Sequence, residues 1–201
     1  MKLSNYKWLV LFVALGILRL VDLHFDSPTY MLVYMDQAKK AAIKNKTELA
    51  LKLYEKAAGY NKTSPHPYYQ MALLYGQLND EGERIKHFKK VVELGSSIDR
   101  INAYPYIRRD IEYANACYQV GLDFKNRGEI LKAMRLFEYS LNHYHLFHQS
   151  SYELGMIYSR LNDKSHALAQ VHMISDDVTG NNGLSVRLLD NIYKDHPQWR
   201  N

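Results

Sequence analysis

The chain repeats one pattern of apolar, small and turn-forming residues every 34 positions. Four copies occupy residues 31–64, 65–98, 114–147 and 148–181. The clearest match aligns segment 75–80 with segment 158–163, which share a tyrosine, a leucine and an Asn-Asp pair. A fixed period of this length is typical of proteins that stack one supersecondary unit many times.

Within each copy, apolar residues recur at helical spacing on both sides of a polar break. The eighth position is small in every copy: Ala38, Ala72, Gly121 and Gly155. The twentieth is small in three copies: Ala50, Ala133 and Ala167, with Arg84 in the second. The eleventh and twenty-fourth positions are mostly large: Ala41, Tyr75, Phe124 and Tyr158, then Tyr54, Phe88, Phe137 and Val171. Because small residues let two helices approach while large neighbours fill the space, each copy predicts a helical hairpin.

The polar break falls near the fifteenth position of each copy. It consists of residues 45–47, 79–80, 126–128 and 162–163, all rich in asparagine, aspartate or glycine. These residue types form turns and cap helix N-termini. Residues 99–113 separate the second and third copies, and we expect them to lengthen the next helix backwards. A further helix at about residues 184–194 is expected to cap the last hairpin.

A 34-residue helix–turn–helix unit with these small and aromatic positions resembles the tetratricopeptide repeat. The resemblance covers residues 31–181 apart from the insertion. Two features depart from the family pattern. The proline usual near the thirty-second position is absent from every copy, and the bulky fourth position holds Cys117 and Ser151 in the last two. The resemblance implies an all-α, right-handed solenoid of four hairpins, which acts as a non-enzymatic scaffold for partner proteins.

In that family the first helices of successive repeats line a concave groove that binds a peptide or a partner helix. Carried over, the groove positions of this chain are Met35, Tyr69, Gln70, Leu73, Tyr118, Gln119, Leu122, Tyr152, Glu153 and Met156. Two interpretations of the tyrosines stay open: they anchor a partner, or they pack between neighbouring first helices. The family's lysine and asparagine clamp for a terminal carboxylate is not expected, because Lys39, Asn115, Lys125 and Asn126 are too scattered.

Residues 1–28 have a different pattern, with an apolar run at 8–18 preceded by Lys2 and Lys7. A cleaved signal peptide fits poorly, since the only small-residue cleavage pattern, at 14–16, leaves a very short apolar core. A retained anchor is therefore favoured over a cleaved signal, and a short helix buried in a partner is the other alternative. The anchor residues are predicted to be Trp8, Phe12, Leu15 and Arg19, in contact with a lipid bilayer. The positive-inside rule then predicts a single-pass membrane protein with a cytoplasmic N-terminus and repeats facing the periplasm or lumen.

Composition excludes several classes of protein. Charged residues are 23% and apolar residues 47% of the chain, as in a globular protein. A single cysteine excludes an internal disulfide. The net charge of +5 is spread among acidic residues, so no nucleic-acid partner is expected. No phosphate-binding loop, zinc-protease or nucleotide-binding motif occurs, so no cofactor and no catalytic residue are predicted.

Two groups of residues carry chemistry without predicting a site. Cys117 occupies a core position of its repeat and is expected to be a buried structural thiol. His143, His145 and His148 form the densest histidine cluster, but it spans a turn and lacks nearby carboxylates, so no metal is predicted.

Three function classes follow. The favoured one is a membrane-anchored scaffold or assembly factor. The alternative is a stable accessory subunit of a larger membrane complex, and an enzyme or metal protein that uses the histidine cluster is third. The predicted domains are an anchor at 1–28, repeats at 29–98, an insertion at 99–113, repeats at 114–181 and a capping helix at 182–201.

Overall fold

The computed structural model describes residues 27–98, 109–175 and 182–200. These residues form nine α-helices and one 3-10 helix, and no strand occurs among them. The helices are α1 Ser27–Ile43, α2 Thr47–Tyr60, α3 His66–Gln77, α4 Glu81–Ile98, α5 Arg109–Asn126, α6 Ile130–His143, α7 His148–Arg160, α8 Lys164–Ser175 and α9 Asn182–Asp195, and the 3-10 helix is Pro197–Arg200. The all-α prediction is confirmed.

The chain divides into two compact units, Met1–Pro67 and Tyr68–Asn201. The described part of the first unit is mainly the hairpin of α1 and α2. The second unit contains the hairpins α3–α4, α5–α6 and α7–α8, followed by α9. Helix α5 begins before the third copy of the repeat, at Arg109, and residues 99–108 of the insertion lie outside the described residues.

The turn inside each hairpin has the same backbone geometry in all four copies. The fifteenth residue has a positive φ: 56° at Asn45, 58° at Asn79, 78° at Gly128 and 60° at Asn162. The next amide donates back to the carbonyl of the eleventh residue, as from Asp80 to Tyr75 at 3.0 Å and from Asp163 to Tyr158 at 2.9 Å. This bonding pattern is a Schellman helix end, which requires a left-handed residue that glycine and asparagine tolerate best. The predicted turn positions are therefore confirmed.

Burial follows the same register. The eighth and twenty-fourth positions are buried in every copy, from Ala38 and Tyr54 in the first to Gly155 and Val171 in the last. A side chain added at Gly121 would place its Cβ 2.6 Å from the Phe137 ring, and one at Gly155 would lie 2.7 Å from Leu188. The small residues are thus required by close helix contacts, as the pattern predicts.

Three apolar clusters lie within the described part of the second unit. Cys117 lies in the first with Ala72, Phe88 and Val91. The second contains Ala133, Phe137, Leu154 and Ile157. The third joins α8 to α9 and includes Ala167, Val171, Ile174, Leu188, Ile192 and Trp199. Helix α9 therefore covers the apolar face of α8, the position expected for a capping helix.

The 3-10 helix at the end of the described chain contributes a core residue that the sequence pattern misses. The Trp199 ring stacks on His196 with 4.0 Å between ring centroids. His196 in turn donates from its ring to the Ser159 carbonyl at 2.8 Å. This bond to the backbone of α7 fixes the imidazole on which the buried tryptophan stacks, next to the last hairpin.

The predicted membrane localisation is wrong. No helix within residues 27–98, 109–175 and 182–200 is long and apolar enough to cross a bilayer. The longest, α4 and α5, have 18 residues each and carry seven and five charged side chains, which are costly at the centre of a bilayer. The predicted anchor residues Trp8, Phe12, Leu15 and Arg19 lie outside the described residues, and contact with a lipid bilayer has no support among the residues described.

Candidate protein-interaction surface

The three fifth-position tyrosines of the second unit lie on α3, α5 and α7. Each ring is half-buried, and that of Tyr152 packs on the apolar cluster that α8 and α9 share. Tyr69 meets Phe88 edge-on at 5.8 Å between centroids. Tyr118 contacts Phe137 and Phe147 at 5.9 and 5.5 Å. The rings therefore take part in packing, which is one of the two interpretations that the sequence leaves open.

Side-chain contacts join the successive first helices of the second unit. The Asn115 amide donates to the Tyr69 hydroxyl at 2.9 Å and links α5 to α3. The Lys125 ammonium donates to the Glu153 carboxylate at 2.5 Å and links α5 to α7. The Asn191 amide donates to the Tyr152 hydroxyl at 2.8 Å and links α9 to α7. The first helices α3, α5 and α7, with the capping helix α9 at the end, thus form one continuous row.

The remaining predicted groove residues differ in exposure. Leu73 is 40% exposed on α3, whereas Gln70, Leu122 and Met156 are partly buried. Met35 lies in the first unit and is only 9% exposed, so its side chain packs in the core. The accessible apolar surface of the row therefore centres on Leu73, with the edges of the neighbouring side chains.

Gln119 borders an open cleft beside the row. Its amide oxygen accepts from Arg84 at 3.1 Å, and Arg84 also pairs with Glu81 at 2.6 Å. The cleft between α4 and α5 has a volume of about 440 Å³ and is lined also by Leu122 and Asp123. Because Lys89 pairs with Asp123 at 3.0 Å, both basic side chains of the cleft already have acidic partners.

Burial changes the acidity of the tyrosines. It raises the pKa of Tyr69; the hydrogen bond from Asn115 lowers that pKa, and the nearby Glu112 carboxylate raises it again. Burial also raises the pKa of Tyr118, and the Glu153 carboxylate adds to this. Both phenols remain protonated at neutral pH, so they can donate hydrogen bonds as well as accept them.

The residues that hold the row together are not predicted by the repeat pattern. Asn115 and Lys125 are expected only to be too scattered for a carboxylate clamp, and no role is predicted for Asn191 or Arg187. The Arg187 guanidinium lies 5.6 Å from the centre of the Tyr152 ring. The available signal is that Asn115 shares a helix face with the predicted groove residues Tyr118 and Leu122, three and seven positions on.

The residues with reactive chemistry are dispersed. His143 packs on Tyr113 with 4.4 Å between ring centroids, and His148 is buried at the start of α7. No three histidine, cysteine, aspartate or glutamate side chains are placed to hold a metal within the described parts of the chain. Cys117 is free and buried, and burial raises its pKa to about 12. The prediction of a structural thiol is consistent with this environment.

Comparison with known proteins supports the repeat prediction. A tetratricopeptide repeat family model matches residues 65–94, within the α3–α4 hairpin. No curated protein matches the sequence of the chain.

Several solved structures share the fold. The crystal structure of the MamA protein is similar with a TM-score of 0.52 and 16% identity, over 84% of this chain and 93% of that one. TPR-like repeats from Podospora anserina, described as a kinesin light chain, give a TM-score of 0.52 at 13% identity, over 85% of this chain and 89% of that one. The Cut9–Hcn1 hetero-tetramer of the APC/C gives a TM-score of 0.52 at 14% identity, over 79% of this chain and 30% of that one. At these identities the likeness concerns the fold alone.

Proposed function

We propose that this protein is a non-enzymatic interaction scaffold and that the row of first helices in its second unit binds a peptide or helix of a partner protein. The observation that carries the proposal is the set of contacts Tyr69–Asn115, Lys125–Glu153 and Tyr152–Asn191, which joins α3, α5, α7 and α9. A surface whose side chains are already held in place loses little conformational entropy when a partner binds.

The chemistry of the row suits a segment with both apolar and polar side chains. Leu73 and the edges of Leu122 and Met156 offer apolar contacts at a spacing of one hairpin. Gln70 and Gln119 offer amide groups that pair with a peptide backbone or with polar side chains. A few well-buried anchor residues supply most of the binding free energy at such surfaces.

Selection of binders from a displayed library of random peptides tests the proposal. Enriched peptides are then measured against the wild type and the Leu73→Asp variant by fluorescence anisotropy. We expect Leu73→Asp to weaken binding at least about tenfold, because it places a charge where an apolar anchor is buried. Circular dichroism should show an unchanged helical content, since Leu73 is exposed in the free protein.

Leu131→Asp is the matched control. Leu131 is 76% exposed on α6, a second helix, and the same substitution there leaves the row untouched. Peptides that lose affinity for Leu131→Asp but not for Leu73→Asp would place binding elsewhere on the protein. A selection that enriches no peptide would speak against a peptide-binding scaffold.

A further inference from the structure

The hairpin of α1 and α2 has two unlike faces. One face is buried and contains Met31, Ala38, Ala50 and Tyr54. The other carries an open groove between the two helices, with a volume of about 360 Å³. Gln37, Lys40 and Lys44 line the groove from α1 at helical spacing, and the groove reaches the edge of the buried face at Ala41.

The groove combines an apolar floor with a basic rim. Ala41, Leu49 and Leu53 form the floor, and Leu49 is 47% exposed although it is apolar. The rim consists of Lys40, Lys44 and Lys46. Lys40 pairs with Asp36 at 2.6 Å, whereas Lys44 and Lys46 have no ion-pair partner within the described residues. The rim therefore offers two ammonium groups next to the exposed Leu49 side chain.

Positive charge is concentrated in this part of the chain. Residues 27–67 contain seven lysines and three acidic side chains, a net charge of +4. Residues 68–201 contain equal numbers of basic and acidic side chains. The first hairpin therefore attracts anionic partners more strongly than the rest of the chain does.

We propose that the α1–α2 groove binds an acidic amphipathic helix of another protein. Apolar side chains of that helix insert over Leu49 and Leu53, and flanking carboxylates pair with Lys44 and Lys46. Charge argues against other occupants. A second copy of the chain would bring the same basic rim, and residues 1–26 carry three basic against two acidic side chains. This site is independent of the row of first helices in the second unit.

A synthetic peptide with leucines on one helical face and glutamates beside them is the probe. Its affinity for the full chain is measured by fluorescence anisotropy. We expect the double variant Lys44→Glu, Lys46→Glu to bind about tenfold more weakly, because attraction becomes repulsion at two positions. Leu49→Ser should weaken binding about fivefold through the floor. Raising the salt concentration should weaken binding to the wild type but not to the double variant, because salt screens the attraction in the first and the repulsion in the second.

The control variant is Lys39→Glu, Lys62→Glu, which changes the net charge equally at exposed positions outside the groove. It should bind as the wild type does, and both double variants should keep the helical content of the wild type. An equal loss of affinity in the control would overturn the proposal in favour of general charge attraction. So would equal binding of a peptide in which serine replaces every leucine.

Two further outcomes assign the groove to another occupant and overturn the proposal. In the first, the protein binds phosphatidylserine vesicles but not the peptide, and the double variant Lys44→Glu, Lys46→Glu abolishes binding to the vesicles. In the second, the full chain self-associates in a sedimentation experiment, and the same double variant removes the self-association.

Discussion

The side-chain amide of Asn115 donates a 2.9 Å hydrogen bond to the hydroxyl of Tyr69, from one first helix to the next. The same pair of residue types recurs between Asn191 and Tyr152 at 2.8 Å. The Tyr69 ring packs in its own hairpin and the Tyr152 ring packs on the cluster of α8 and α9, while a neighbouring helix donates to each hydroxyl. The spacing between first helices is therefore set by polar contacts as well as by apolar packing.

A double-mutant cycle measures this contact. Tyr69→Phe keeps the ring against Phe88 and removes the hydroxyl, and Asn115→Ala removes the donor. Each single change should lower the free energy of unfolding by about 1 kcal/mol, with a coupling of about 0.5–1.5 kcal/mol between them. Urea unfolding followed by circular dichroism gives all four values. The control Tyr139→Phe, at an exposed tyrosine of α6, should change stability by less than about 0.5 kcal/mol. Strictly additive single effects would mean that the bond does not contribute.

Gly155→Ala tests the close contact between α7 and α9. The added methyl would meet Leu188 at 2.7 Å, so we expect a loss of about 1–3 kcal/mol from overpacking. Gly183→Ala makes the same chemical change on α9, where an added Cβ meets nothing within 4 Å. That control should stay within about 0.5 kcal/mol of the wild type. Similar melting temperatures for the two variants would show that α7 and α9 lie further apart.

The fifteenth residue of the last hairpin should tolerate glycine better than alanine, because its backbone φ is positive. Asn162 has a φ of 60°, and Asn162→Ala is expected to lower stability by about 1 kcal/mol because alanine is strained there. Asn162→Gly should be close to neutral, since glycine adopts this conformation without strain. Asn142→Ala, inside α6, should be neutral or slightly stabilising because alanine favours helices. Thermal unfolding of the three variants decides; a loss of stability with glycine equal to that with alanine would contradict the turn geometry.

Asp163 gives the start of α8 a dependence on pH. Its pKa is lowered below 3.8, first by the hydrogen bond from the His166 amide and further by the His166 ring. A lowered folded-state pKa stabilises the protein above the unfolded value and loses that contribution as the pH falls through the folded value. Asp163→Asn keeps a capping oxygen without the charge. The wild type should melt higher than this variant at neutral pH, and the difference should shrink below about pH 3.8. A difference that stays constant with pH would exclude the charge as its origin.

The hairpins were predictable because their determinants are local. A small residue at the eighth position, such as Ala38 or Gly121, specifies a helix contact within one hairpin. A residue such as Asn79 or Gly128 at the fifteenth position specifies its turn. The Tyr69–Asn115 bond joins residues 46 positions apart, and its geometry depends on how successive hairpins stack. No periodic pattern in the sequence encodes the angle between successive hairpins. Trp199 escaped prediction for a similar reason, since a single aromatic residue after α9 has no repeat partner.

Because Cys117 is buried, its reaction with a thiol reagent measures local opening of the structure. It is the only cysteine of the chain, and its thiol is fully covered by the cluster around Phe88 and Val91. With its pKa raised to about 12 by burial, it forms almost no thiolate at neutral pH while the cluster is closed. A thiol reagent therefore reacts only when the contacts around α5 open. The rate of labelling gives the free energy of that opening at one residue without an added probe.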